Sequence, residues 1–191
     1  MRHLTKTLFV ILLLSGTAFS YGQSEADMKA YMEYMTPGEV HKMLAKFDGE
    51  WTADMNMWMA PGAPPTKTTS SCVNRMILGG RYQESKYSGN MNGMPFEGIS
   101  TTAYDNSRKV FIATWIDNFG TGIMVSEGTW DNATKSLTMK GKQVDPVSGK
   151  DIAIREVMKT VDDNTQTMEM YMTPAGGTEY KSMEIKLTRK K

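Results

Sequence analysis

The sequence predicts an all-β fold: an antiparallel up-and-down barrel of about ten strands, preceded by short N-terminal helices. Three observations carry this reading. From Trp51 onward, apolar and polar residues alternate with a period of two, the mark of strands with one buried face. Short Asp- and Asn-containing turns separate these segments. The intervals between turns leave no room for crossover helices, so chain neighbours must pair antiparallel, and closing the sheet removes its exposed edges.

The elements follow in chain order. Arg2 and Lys6 precede the apolar run 8–14, and small and polar residues fill 15–22. That order describes a secretory signal peptide, with cleavage expected after Gly22 and cleavage after Ser20 as the alternative. The run is far shorter than the roughly 20 residues a membrane helix needs. Residues 23–47 form a helical segment. Ser24 to Asp27 reads as an N-terminal box before Met28, Tyr31, Met32 and Met35, which share one helical face. A second helix is expected to use Thr36 as its cap, Pro37 at its first position and Glu39 reaching back. Val40, Met43, Leu44 and Phe47 form its apolar stripe.

Residues 48–191 are the barrel domain, with strands expected over 50–59, 68–78, 81–88, 95–104, 109–117, 121–130, 136–144, 151–161, 166–172 and 178–188. Asp105, Asp131, Asp145 and Asp162 each stand where a strand ends and the next begins within a few residues. Their side chains can bond the turning backbone, so these read as hairpin loops rather than calcium loops, which need a denser array of carboxylates. Strand 109–117 is unusual in being apolar on both faces, with Phe111, Ala113 and Trp115 on one and Val110, Ile112 and Ile116 on the other. Its outer face is expected to be covered by one of the two helical stripes, or by a second copy of the chain in a homodimer. A helix plugging the barrel mouth is the third outcome, and would weaken a ligand-binding reading by shutting the most obvious entrance.

Several segments in this order resemble a bacterial family known only as domain of unknown function 1579. They are 57–65 (MWMAPGAPP), 74–81 (NRMILGGR), 93–98 (GMPFEG), 114–118 (TWIDN), 120–124 (GTGIM) and 168–171 (MEMY). The resemblance covers roughly residues 36–188 and implies a lipocalin-like (calycin) barrel with no assigned activity. Gly49 and Trp51 also look like the Gly-x-Trp of lipocalins, where a short helix leads into the first strand. In those proteins a late arginine packs over the tryptophan, a position Arg189 can fill.

The chemical inventory excludes several activities. The formal charge is +1, or −1 without the leader, and the charges are scattered. No basic stripe suggests nucleic acid, and no polybasic cluster or long apolar segment suggests membrane insertion. Cys72 is the only cysteine, so no intramolecular disulfide can form; it reads as a buried, inert thiol. Beyond the leader the one histidine is His41, expected on the exposed face of the second helix. That removes His-based triads, multi-histidine zinc sites and a proximal-histidine haem from the barrel. No catalytic residue, metal or cofactor is assigned. The 18 methionines read as an adaptable apolar lining more readily than as a Cu(I) site, because no histidine or cysteine reinforces them.

The reading that follows is a small-molecule binder of the periplasm or exterior, taking an apolar or amphipathic ligand in the lumen. Met57, Trp115 and Met170 are expected to line it. Arg75, Glu127 and Arg155, which interrupt apolar strands, are candidate charged contacts. Of Arg155 and Glu156, one must face inward if that strand is regular. Tyr104 is a further candidate lumen contact, and either it or a lumen carboxylate is the expected acid or base should the fold instead host an enzyme. A solid barrel acting as an interaction module is the third reading.

Overall fold

The structure is a computed structural model describing residues 24–191, so the leader assigned to residues 1–22 lies outside the described residues. Two helices come first, α1 (Glu25–Met35) and α2 (Glu39–Ala45). Ten strands follow: β1 (Gly49–Met57), β2 (Thr66–Ile77), β3 (Tyr82–Met91), β4 (Met94–Asp105), β5 (Val110–Asp117), β6 (Met124–Asp131), β7 (Ser136–Val144), β8 (Asp151–Asp162), β9 (Thr165–Thr173) and β10 (Tyr180–Arg189). Each pairs with its neighbours in the chain, and β10 returns to β1, closing an up-and-down barrel. The closing seam runs from Trp51 opposite Arg189 to Met57 opposite Met183.

The alternation read from the sequence is the alternation of burial. Along β1, Trp51, Ala53 and Met55 are buried, and β10 meets them with Leu187 and Ile185. The Asp turns behave as expected. Oδ1 of Asp105 accepts from the Ser107 and Arg108 amides, and Asp131, Asp145 and Asp162 bond the amides of Ala133, Val147 and Asn164. These short contacts hold the chain where it reverses.

The two ends of the barrel differ. At one end the strands are joined by residues 78–81, 106–109, 132–135 and 163–164; at the other, beside the two-residue turn 92–93, the connections 58–65, 118–123, 145–150 and 174–179 are longer. α2 closes the tight end. Leu44 is buried against Phe111, Leu137 and Met139, with Val40 and Met43 packed around that cluster. A short helix ends in unpaired carbonyls, which need partners when buried. Inward-pointing polar side chains supply them here. Gln83 Nε2 donates to Leu44 O at 2.7 Å, while Asn74 Nδ2 and Trp51 Nε1 donate to Phe47 O at 3.1 and 2.9 Å.

Three expectations about the helices are corrected. Gly38, not Thr36, precedes the first turn of α2; Thr36 ends α1, its hydroxyl donating to Met32 O. His41 is 5% exposed rather than on the surface. Its Nδ1 accepts from the Gly38 amide at 3.0 Å, and its ring meets Tyr104 edge-on. The predicted stripe itself packs on the barrel, Leu44 with Val40 and Met43 on one cluster and Phe47 on another, and His41 is buried beside it. Neither helix covers the outer face of β5. Ile116 is 45% and Val125 of β6 50% exposed, and α1 buries none of its residues. It reaches the barrel through the Asn106 amide, which donates to the carbonyls of Glu33, Tyr34 and Thr36. Among the described residues no helix is long and apolar enough to cross a membrane.

Candidate functional site: the barrel lumen

The inward faces of the strands do not fill the barrel. A cavity of about 390 Å³ remains, within the size range of small-molecule sites. Nine of its lining residues are methionines, contributed by β1, β3 and β6 to β10. Cross-strand pairing sets several of them side by side: Met57 opposite Met183, Met183 opposite Met170, and Met168 opposite Met158. Unbranched thioethers adapt to irregular shapes, so this wall can conform to an apolar guest.

Aromatic rings form the opposite wall. Trp115 of β5 lies edge to Tyr87 at 5.5 Å and stacks with Phe96 at 6.3 Å between centroids. Gly98 makes room for it: a Cβ built there would come within 2.5 Å of the indole. Asp117 locks the ring, accepting from the indole Nε1 at 2.7 Å, and also holds the Phe119 amide at 2.9 Å. Phe119 packs on Phe96 at the rim, in the connection 118–123 of the looser end.

Neutral polar side chains such as Asn74, Gln83, Ser100, Thr102 and Gln166 also line the lumen, but charged groups are few. Glu156 of β8 lines the cavity, and its carboxyl accepts from Ser126 Oγ at 3.4 Å. Burial pushes this carboxyl above the usual range. The Tyr87 phenol is held well above its ordinary value, chiefly by burial, with Cys72 and then Glu156 adding to it. The Cys72 thiol is fully buried, donates to Asn74 Oδ1 at 3.2 Å, and is pushed up to about 11 by burial. It is the inert thiol expected. His41, at the closed end, is not among the residues lining the cavity.

Of the residues read from sequence as lumen contacts, Met57, Trp115 and Met170 line the cavity. Tyr104 faces inward but is packed against Phe111 at the closed end, beneath the cavity floor. The three charged candidates are outside. Arg75 pairs with Glu84 at 2.8 Å, Glu127 with Arg108 at 2.6 Å, and Arg155 with Glu179 at 2.6 Å. Arg155 also lies over the Tyr171 ring at 3.9 Å. Each satisfies its charge on the outer surface, so none can meet a guest in the lumen. Of the adjacent pair in β8, Glu156 faces in. The parity of Ile154, buried in the same strand, was the available signal.

These features define a lipocalin-like closed barrel whose lumen is apolar, methionine-rich and lightly charged. The chain belongs to the family described as "Protein of unknown function (DUF1579)", which matches residues 36–189. A solved structure sharing the fold is the "Crystal Structure of Rv2717c from M. tuberculosis". It is 12% identical with a TM-score of 0.60, and the match covers 82% of this chain and 100% of that one. At that identity the likeness concerns the fold alone. No curated protein matches this chain.

Proposed function

We propose that the protein binds a small apolar or amphipathic molecule inside the barrel. The observation that carries this reading is the cavity itself: about 390 Å³, walled by thioethers and aromatic rings. A barrel serving only as an interaction surface has no use for such a void, since unfilled apolar space forfeits packing energy. With α2 across the tight end, a guest enters between the longer connections, past Phe119. Titration with the neutral dye N-phenyl-1-naphthylamine tests the reading. Saturable enhancement at one site per chain is expected, lost when Met170→Trp fills the lumen. A folded protein that leaves the dye dark would overturn it.

Two expectations from the sequence remain part of this proposal. Export with cleavage after Gly22 predicts that the native protein begins at Gln23, which N-terminal sequencing reads directly. Homodimerisation draws support from the exposed outer residues Ile99, Ile116, Ile123 and Val125 on neighbouring strands and their connection, since contiguous exposed apolar groups mark association surfaces. Sedimentation at micromolar concentration should find a dimer that Ile116→Lys dissociates; a monomer in both proteins overturns it.

A further inference from the structure

Glu156 has no counter-charge. It stands in the middle of β8, with Met139 of β7 and Met170 of β9 directly across from it. Its one side-chain hydrogen bond is the long contact from Ser126. The ion pairs among the described residues do not include it. Its neighbour Arg155 is turned outward and held by Glu179. Lys159 borders the cavity, but it is exposed and alternates to the opposite face from Met158 and Thr160. Asp117 adds a second carboxylate at the rim, bonded to the Trp115 indole and the Phe119 amide and to no cation. The lumen thus carries two acids and no base of its own.

A carboxylate in an apolar cavity is unfavourable unless something offsets its charge. We propose that the guest supplies the offset: the ligand is an organic cation, an apolar body bearing one protonated amine, and Glu156 is the group that recognises it. The inference deepens the lumen-binding reading and rests on it. The surroundings suit such a guest. Tyr87 and Trp115 line the same cavity, and aromatic rings attract ammonium groups to their faces. Met139 and Met170 flank the carboxylate with thioether sulfurs, weak acceptors that contribute no opposing charge. The same inventory rejects a fatty acid, whose carboxylate would be a third negative charge in a lumen with nothing to balance it.

Three ligands of one chain length separate the cases: decylamine, decanol and decanoate, each displacing N-phenyl-1-naphthylamine from the folded chain near neutral pH. Decylamine should bind about tenfold or more tighter than decanol, with decanoate weakest. Glu156→Gln should bring the amine to within about threefold of the alcohol while leaving the alcohol unchanged. Glu156→Met, matching the flanking side chains, serves if the glutamine variant does not fold. Decanoate binding as well as the amine would overturn the proposal, as would an amine preference that survives both substitutions. If decanol displaces the dye and the amine gains nothing, Glu156 acts as a neutral acid; the cation assignment falls and lumen binding stands. If neither dye nor ligand binds, both fall together.

Discussion

The guanidinium of Arg189 lies 4.3 Å from the centre of the Trp51 ring, and its nitrogens donate to the carbonyls of Asp48 and Lys46, each at 2.6 Å. The last residue of β10 therefore clamps both the first strand and the corner leading out of α2. A planar fork over an aromatic face does what an ammonium cannot. Arg189→Ala should lower stability by about 2–4 kcal/mol, and Arg189→Lys should recover less than half of that. Chemical denaturation of the three proteins checks it; a lysine variant as stable as the parent would show that charge alone matters.

His41 makes stability depend on pH. Burial first, and then the charge of Arg81, hold its imidazole below the ordinary value of 6.5. Protonation also removes the Nδ1 lone pair that receives the Gly38 amide. The unfolded chain therefore binds the proton more readily. The stabilisation is complete above the unfolded value of 6.5 and is lost as pH falls below it. His41→Asn retains an acceptor without the titration, so the decline in melting temperature between neutral and mildly acid pH should be shallower. Equal slopes would exclude His41 as its source.

Gly98 is needed by its neighbour rather than by its own backbone. A methyl group there meets the Trp115 ring within 2.5 Å, and the indole is tied to Asp117. Gly98→Ala should cost about 1–3 kcal/mol of stability. It should also shift the tryptophan emission and weaken dye binding, since the displaced ring moves into the lumen. Unchanged emission and affinity would mean that the wall yields elsewhere.

Arg75, Glu127 and Arg155 offer the converse test. Their partners are on the outer surface, so Arg75→Ala, Glu127→Gln and Arg155→Ala should leave ligand affinity untouched. Each should change stability by about 1 kcal/mol or less, as exposed ion pairs do. Loss of binding in any of them would place the site outside the lumen.

The contrast between these residues and Glu156 shows where sequence reasoning succeeds. All ten strands were legible, because turns and alternation are local properties. Which face is inner was legible where one face is polar, as in β1, with Thr52, Asp54 and Asn56 outside. It failed where the outer wall is itself apolar. Arg75 shares its face with Val73, and Glu127 with Val125, both valines half exposed on the outside. An apolar neighbour on the same face is then no guide to the interior. The burial of His41 was hidden for another reason: it depends on the angle at which α2 crosses the barrel end, a property of the assembled sheet.

The seam between β1 and β10 has a consequence for how the chain becomes a barrel. Residues 51–57 find their partners only at 183–189, so ring closure joins segments separated by nearly the whole domain. Hairpins from β1 to β9 can form as they are synthesised, but until β10 arrives the sheet is an open ribbon with two unsatisfied margins. Closure across such a separation is entropically late and slow. The clamp of Arg189 on Trp51 can form only then, which makes it the final latch of folding. A chain shortened by its last ten residues should therefore lose the native state altogether and accumulate as a self-associating ribbon, not as a slightly weakened barrel.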